Sequence, residues 1–132
     1  MTTTALAEQA AILGRLDTQW ADTLPVAWPN TGFAPSGAAH IEPVLNTQQA
    51  FNSDVSTSRR VRNPGLLTLN VRVPIEGGNG VALGHADTLA AIFRNVTFSG
   101  ITFRAPTIRP VGPDGSWYLV QVDCPYHRDS IY

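Results

Sequence analysis

The hydrophobic positions of this chain change period once, sharply, between residues 65 and 95. Leu67, Leu69, Val71, Val73 and Ile75 alternate with Thr68, Asn70, Arg72 and Pro74. A period of two with one apolar and one mostly polar face is what a half-buried strand requires. After Glu76 the run Gly77-Gly78-Asn79-Gly80 frees the backbone to reverse direction and is expected to hold no regular structure. The period then becomes helical. Ala82, Ala86, Leu89, Ala90 and Phe93 fall on one stripe, while Asp87, Thr88, Arg94 and Asn95 face away. A one-sided strand followed by a one-sided helix predicts a helix lying on a sheet, and nothing in the stretch is a reaction centre.

The same reading extends to the rest of the chain. Thr2 to about Asp22 is predicted helical, with Leu6, Ala10, Leu13 and Trp20 near one stripe, Ile12 and Leu16 widening it, and Glu8, Gln9, Arg15 and Asp17 polar. Thr3 or Thr4 can cap its start. Gly14 costs about 1 kcal/mol relative to alanine, so the helix depends on packing. Val26-Ala27-Trp28, between two prolines, predicts a short edge strand, and residues 30–37 a loop. Ala39 to Phe51 reads as extended, with Ile41, Leu45 and Phe51 on one parity and Pro43 marking an edge or a bulge. Residues 52–64 are polar without useful period and predict a long hairpin tip or a disordered loop. Phe98 to Arg109 predicts a strand with Ile101, Phe103 and Ala105 on one parity. Pro113-Asp114-Gly115 is a turn signal. Trp117 to Cys124 returns as a strand with Tyr118, Val120, Val122 and Cys124 on one face, ended by Pro125 and followed by a polar tail.

With no internal repeat and no linker, this order predicts one domain over 1–132 of α+β class. The sheet is mostly antiparallel with four to five strands, two helices pack on one face, and a long hairpin loop lies around 52–64. Composition narrows the function. At 132 residues and 43% hydrophobic content the chain can bury a real core. Only 14% of residues are charged, against roughly 25% on average, and the net charge of −1 argues against a general nucleic-acid binder. All nine basic residues are arginine. The single cysteine, Cys124, excludes an internal disulfide and a multi-cysteine zinc site. The start of the chain has no basic segment followed by an apolar run, and nothing approaches about 20 consecutive apolar residues. Neither a signal peptide nor a membrane span is expected.

Candidate chemistry is sparse. Cys124 and His127 lie three apart, but an extended chain with Pro125 between them does not aim both at one point. His40 and Glu42 share a strand face and could form half of a metal pair. His85 and Asp87 do not share a helix face, and no H-x-x-H spacing is present. The glycine run opening onto a helix invites a phosphate-loop reading, which the absence of lysine and of G-x-G-x-x-G opposes. No cofactor, metal or catalytic residue is assigned. Arg59, Arg60 and Arg62 form the one charge cluster. They read either as a solvated loop tip or as a loop presented to a partner or a polyanion.

Several segments together resemble a known family. They are Pro25–Trp28, Gly37–Leu45 and Arg62–Pro74, then Ala86–Arg94, Phe98–Phe103 and Pro113–Val122. In this order, from about Leu6 to the tail, they resemble the tail terminators of long-tailed bacteriophages. The resemblance implies an α+β fold and a virion structural protein without catalysis. Such a subunit forms a ring, typically a homohexamer, that caps the tail tube and stops its polymerisation. The ring also offers head-completion or connector proteins a joining surface. The expected partners are copies of itself, the tube protein and the connector protein. DNA passes without specific binding, no membrane is involved, and the protein ends in the virion tail after assembly in the host cytoplasm. Another neck component, such as a joining or stopper protein, is the neighbouring alternative. A nucleic-acid accessory protein acting through Arg59–Arg62 is the distant one. A ring needs edges or patches for its neighbours, and the candidates for partner or oligomer contact are Trp28, Trp117 and the three arginines.

Overall fold

A computed structural model describes residues 4–20, 24–28, 39–52, 60–75 and 78–131. Among these residues two helices, α1 (Ala5–Trp20) and α2 (Gly78–Phe93), accompany seven strands. These are β1 (His40–Thr47), β2 (Phe51–Asn52), β3 (Arg60–Pro74), β4 (Thr97–Phe98), β5 (Ile101–Phe103), β6 (Thr107–Asp114) and β7 (Trp117–Ile131). The α+β class holds, all pairs between strands are antiparallel, and the seven strands exceed the four to five expected.

Two long strands form the spine. β3 and β7 pair over their full length, from Arg60 opposite Ile131 to Pro74 opposite Trp117. Each is flanked by an interrupted strand. β1 and β2 run one after the other along the outer side of β3, and β6 and β5 do the same along β7. β4 closes the far edge against β5.

Several boundaries differ from expectation, each for a local reason. The strand expected to end at Pro125 continues to Ile131. Arg104 N–H donates to the Pro125 carbonyl at 3.0 Å, and a strand residue turns its N and O to the same side. The proline's missing N–H therefore faces the break between β5 and β6, where no ladder bond is lost. β3 begins at Arg60, well inside the segment expected as a loop, because its first residues pair with β2 and with the end of β7. Residues 53–59, including Arg59, and the 30–37 loop lie outside the described residues. Gly78–Gly80 form the first turn of α2 rather than an irregular stretch, so the glycines cost helix stability without preventing the helix.

The strand expected over Phe98–Arg109 is broken twice. Between β4 and β5, Ser99 (φ 50°) and Gly100 (φ 78°) make a two-residue hairpin with both central residues left-handed. Residues 104–106 then separate β5 from β6, so Ala105 is exposed instead of lining the core. The later turn sits at Gly115-Ser116, with Asp114 and Trp117 as its closing pair and Gly115 at φ 64°. Pro113 and Asp114 belong to the strand. Val26–Trp28 makes a single parallel bridge to Ile41 rather than a strand.

The core lies between the helices and one face of the spine. Leu67, Leu69, Val71 and Val73 of β3 and Val120, Val122, Cys124 and Tyr126 of β7 are buried there. Ile41, Ile101, Phe103 and the stripe of α2 join them, and that stripe (Ala82, Ala86, Leu89, Ala90, Phe93) is the one its period predicts. At about 25 cal/mol per Å² of buried apolar surface, this face supplies the main driving force for folding.

The two helices do not sit alike. α2 lies on the sheet, whereas α1 packs along α2 and reaches the sheet near its own start. Arg15 Nε donates to the Ile92 carbonyl at 3.0 Å, satisfying an acceptor at the end of α2. The Arg15 guanidinium also lies 4.9 Å from the centre of the Phe98 ring. Trp20 meets His85 edge-on. Thr4 caps α1, its hydroxyl accepting from Ala7 N–H at 3.1 Å. The buried stripe of α1 is Glu8, Ile12, Leu16 and Trp20. Leu6 and Ala10, expected inside, are exposed, and Glu8, expected outside, is buried.

Candidate functional site

The spine carries two polar systems, one on each face. On the core face, beyond Cys124, the alternation of β7 brings Tyr126, Arg128 and Ser130 inward. Glu8 comes down from α1 to meet them. Arg128 Nε donates to Glu8 Oε1 at 2.7 Å and the Tyr126 hydroxyl donates to Glu8 Oε2 at 3.1 Å. Arg128 also donates to Ser130 Oγ at 3.0 Å, and Asn63 Nδ2 donates to the same oxygen at 3.2 Å. Glu8 is 3% exposed and Arg128 8%, so both oxygens of a buried carboxylate are engaged, as burial of a charge demands. Burial, and then the Glu8 charge, push the Tyr126 phenol well above its usual range, so it stays a donor. The Tyr126 ring lies across the backbone of Gly65, its partner in the ladder. A β-carbon built there would stand 2.4 Å from the ring.

Among the described residues, the opposite face of the sheet carries no helix. Residues of β1, β3, β7 and β6 cover it in one chain of hydrogen bonds. Arg72 donates to Glu42 at 3.0 Å and Asn70 to the same oxygen at 3.2 Å. Gln121 donates to Asn70 at 2.9 Å, and Arg109 to Gln121 at 2.9 Å. Arg109 pairs with Asp123 at 2.6 Å, and Asp123 accepts from Thr68 at 3.1 Å. The hydrogen bond from Arg72 holds the Glu42 carboxyl below its usual range.

The same face continues onto an arm formed by residues 60–64, 127–131 and the short β2. Arg62 grips Asp129 with two hydrogen bonds of 3.0 and 3.1 Å, the fork geometry guanidinium favours. That grip lowers the Asp129 carboxyl and raises the Arg62 guanidinium from their usual values. Burial, then the positive charge of Arg62, lower His127.

The sequence-predicted residues fall as follows. Arg60 and Arg62 stand on β3 rather than on a loop, and Arg62 is held by Asp129. Trp28 packs against the edge of the core. Trp117 packs edge-on against His40 with ring centres 4.9 Å apart, on the open face and not under α1. Cys124 and His127 point to opposite faces of β7, so no thiol–imidazole pair forms. Burial, then the charge of Asp123, push the Cys124 thiol up to about 12. His40 and Glu42 share the open face. Among the described residues no three His, Cys, Asp or Glu side chains gather as a metal site would need. No helix among them is long and apolar enough to cross a membrane. Sequence reasoning missed Glu8 and Arg128, although Glu8 lies at the i, i+4, i+8, i+12 spacing of Ile12, Leu16 and Trp20, which is the only signal that could have found it.

Comparison with known proteins decides the family. A sequence model described as "Phage tail terminator protein" matches residues 9–126. The chain belongs to the phage tail terminator family. Membership makes it a structural component of a phage tail, of a family not known as enzymatic. A solved structure 22% identical in sequence, with a TM-score of 0.65 over 94% of this chain and 95% of that one, shares the fold. No curated protein matched the chain. Its arginines on the open face are mostly committed to acids of the same chain.

Proposed function

We propose that this chain is the tail terminator itself. Its copies, six by the pattern of the family, close into a ring on the end of the tail tube. The ring stops addition of tube subunits and presents a surface to head-completion or connector proteins. The observation that carries the proposal is the family match across residues 9–126. The open sheet face supports it physically. Its Arg72, Arg109 and Arg62 are paired with Glu42, Asp123 and Asp129, so a ring built of such subunits would hold little unpaired charge on these faces for passing DNA to stick to. The same pairing lends no support to phosphate capture by Arg62. The subunit would assemble in the host cytoplasm and end in the virion.

The test is mass by light scattering over a wide concentration range, with negative-stain images, followed by addition of purified tail tubes. Rings, free or on tube ends, together with arrested tube growth, are expected. Tubes that keep elongating with the protein present would overturn the proposal. Rings that bind heads but leave tube growth unaffected would favour a joining or stopper protein instead.

A further inference from the structure

The hydrogen-bond phase of β7 fixes which backbone groups β6 turns outward. Arg104 N–H reaches the Pro125 carbonyl, so Pro125 turns its N and O toward the β5–β6 side. Asp123, Gln121, Leu119 and Trp117 follow at two-residue intervals on the same strand and turn the same way. Their partners on β6 are Thr107, Arg109, Gly112 and Asp114, which therefore face back into the sheet. The positions left to point outward are Ile108, Pro110 and Pro113, with Val111 the extra residue where the register shifts.

Among the described residues no strand pairs with β6 on its outer side. Pro110, Val111 and Pro113 are exposed, Val111 by 54%. An eight-residue edge strand with an exposed valine is a template for another strand. Strand addition needs an outward N–H at alternate positions, and two of these three carry none. Ile108 is left as the one regular donor, and the bulge at Val111 breaks the spacing that an incoming strand would have to match. The opposite edge of the sheet is held differently. There the outward N–H of Ile41 donates to Pro25, its carbonyl accepts from Ala27, and the next outward position is Pro43.

We infer that Pro110, Pro113 and the bulge between them close the outer edge of β6 to strand addition. Without them, β6 of one copy would pair with β6 of another, antiparallel about a two-fold axis. With them, that contact lacks its donors, and copies meet only through other surfaces. The inference is independent of the ring reading, since it concerns a contact that the subunit avoids. An edge tolerates proline because no ladder bond is lost, and the experiment separates tolerance from protection.

That experiment compares the parent chain with the double variant Pro110→Thr, Pro113→Thr, which restores both outward donors. Mass is measured by light scattering over a concentration series, and amide hydrogen exchange is followed on the same samples. The variant is expected to melt close to the parent. It should double the mass of whatever unit the parent forms, at a concentration at least about tenfold below any doubling of the parent. The amides of Ile108 and of the two substituted positions should exchange slowly in the associated form. An unchanged mass would overturn the inference, because the prolines would then be tolerated and nothing more. Association with those amides still exchanging freely would also overturn it, because the contact would lie elsewhere. If the double variant melts well below the parent, the single variants decide. Each is expected to associate more readily than the parent, and two singles that keep the parent's mass would sink the idea.

Discussion

The two faces of the β3–β7 pair hold polar networks of similar size and opposite character. On the core side, Glu8, Tyr126, Arg128, Ser130 and Asn63 form a closed cluster under α1. On the open side, Glu42, Arg72, Asn70, Gln121, Arg109 and Asp123 spread across four strands, with Glu42 and Arg109 exposed to water and Asn70 buried beneath its neighbours. The chemistry is nearly the same, and the surroundings decide what each is worth. A buried ion pair is costly to break because one charge remains without solvent. An exposed one exchanges its partner for water at little cost.

The largest effect should therefore come from Arg128→Met, which leaves the Glu8 carboxylate buried with only the Tyr126 hydroxyl. A loss of about 3–5 kcal/mol is expected, read as a fall in the urea midpoint. Adding Glu8→Gln should restore most of it, because the charge disappears while an amide oxygen still accepts from Tyr126. A double variant as unstable as the single one would show that the cluster matters through shape and not through charge.

Gly65→Ala probes the same region by volume. The new methyl would meet the ring of Tyr126 at 2.4 Å, and that ring is fully buried among Phe103 and its neighbours. Overpacking of this kind costs about 1–3 kcal/mol. A Tyr126→Phe, Gly65→Ala pair should recover little, since the ring carbon is as close as the hydroxyl. Thermal melting of the three variants settles the point.

How much of this was legible in the chain differs between the faces. The open face was legible, because Thr68, Asn70 and Arg72 alternate with Leu67, Leu69, Val71 and Val73 in plain view. The stripe of α2 was equally clear, since its buried residues are all apolar. The cluster under α1 was hidden by its own composition. A glutamate is charged wherever it stands, and periodicity counts it as surface unless its partner is known. Arg128 lay beyond Pro125, in a segment that proline rules remove from a strand. Only the tertiary fact that the missing N–H faces a gap in the neighbouring ladder restores it. The arm was lost for a similar reason: Arg60–Pro64 has little apolar signal, and it is strand because β2 and β7 pair with it.

On the open side, Arg109→Ala should cost no more than about 0.2–1 kcal/mol, since Arg109 is 58% exposed and Asp123 keeps the Thr68 hydroxyl. A loss approaching that of Arg128→Met would contradict the comparison. It would mean that the open face is covered by something in solution, and its dependence on protein concentration would identify another copy as the cover.

The smallest effect is a pH dependence of the open face. Glu42 and Asp129 are held below their usual carboxyl range by Arg72 and Arg62, and His127 is lowered by burial and then by Arg62. All three bind a proton less readily folded than unfolded, so acid favours the unfolded chain. For His127 the loss begins as pH falls below about 6.5, the unfolded value, and completes below its lowered folded value. For the two carboxylates it begins near pH 4 and continues to lower pH. Urea midpoints from pH 8 to pH 3 should fall in two shallow steps. His127→Gln should remove the first step. Asp129→Asn and Glu42→Gln should lower stability at neutral pH and flatten the second, because a group that cannot ionise has no native-state charge interaction to lose. A first step that survives His127→Gln would assign it to another group, and the open face would then be quieter still than its hydrogen bonds imply.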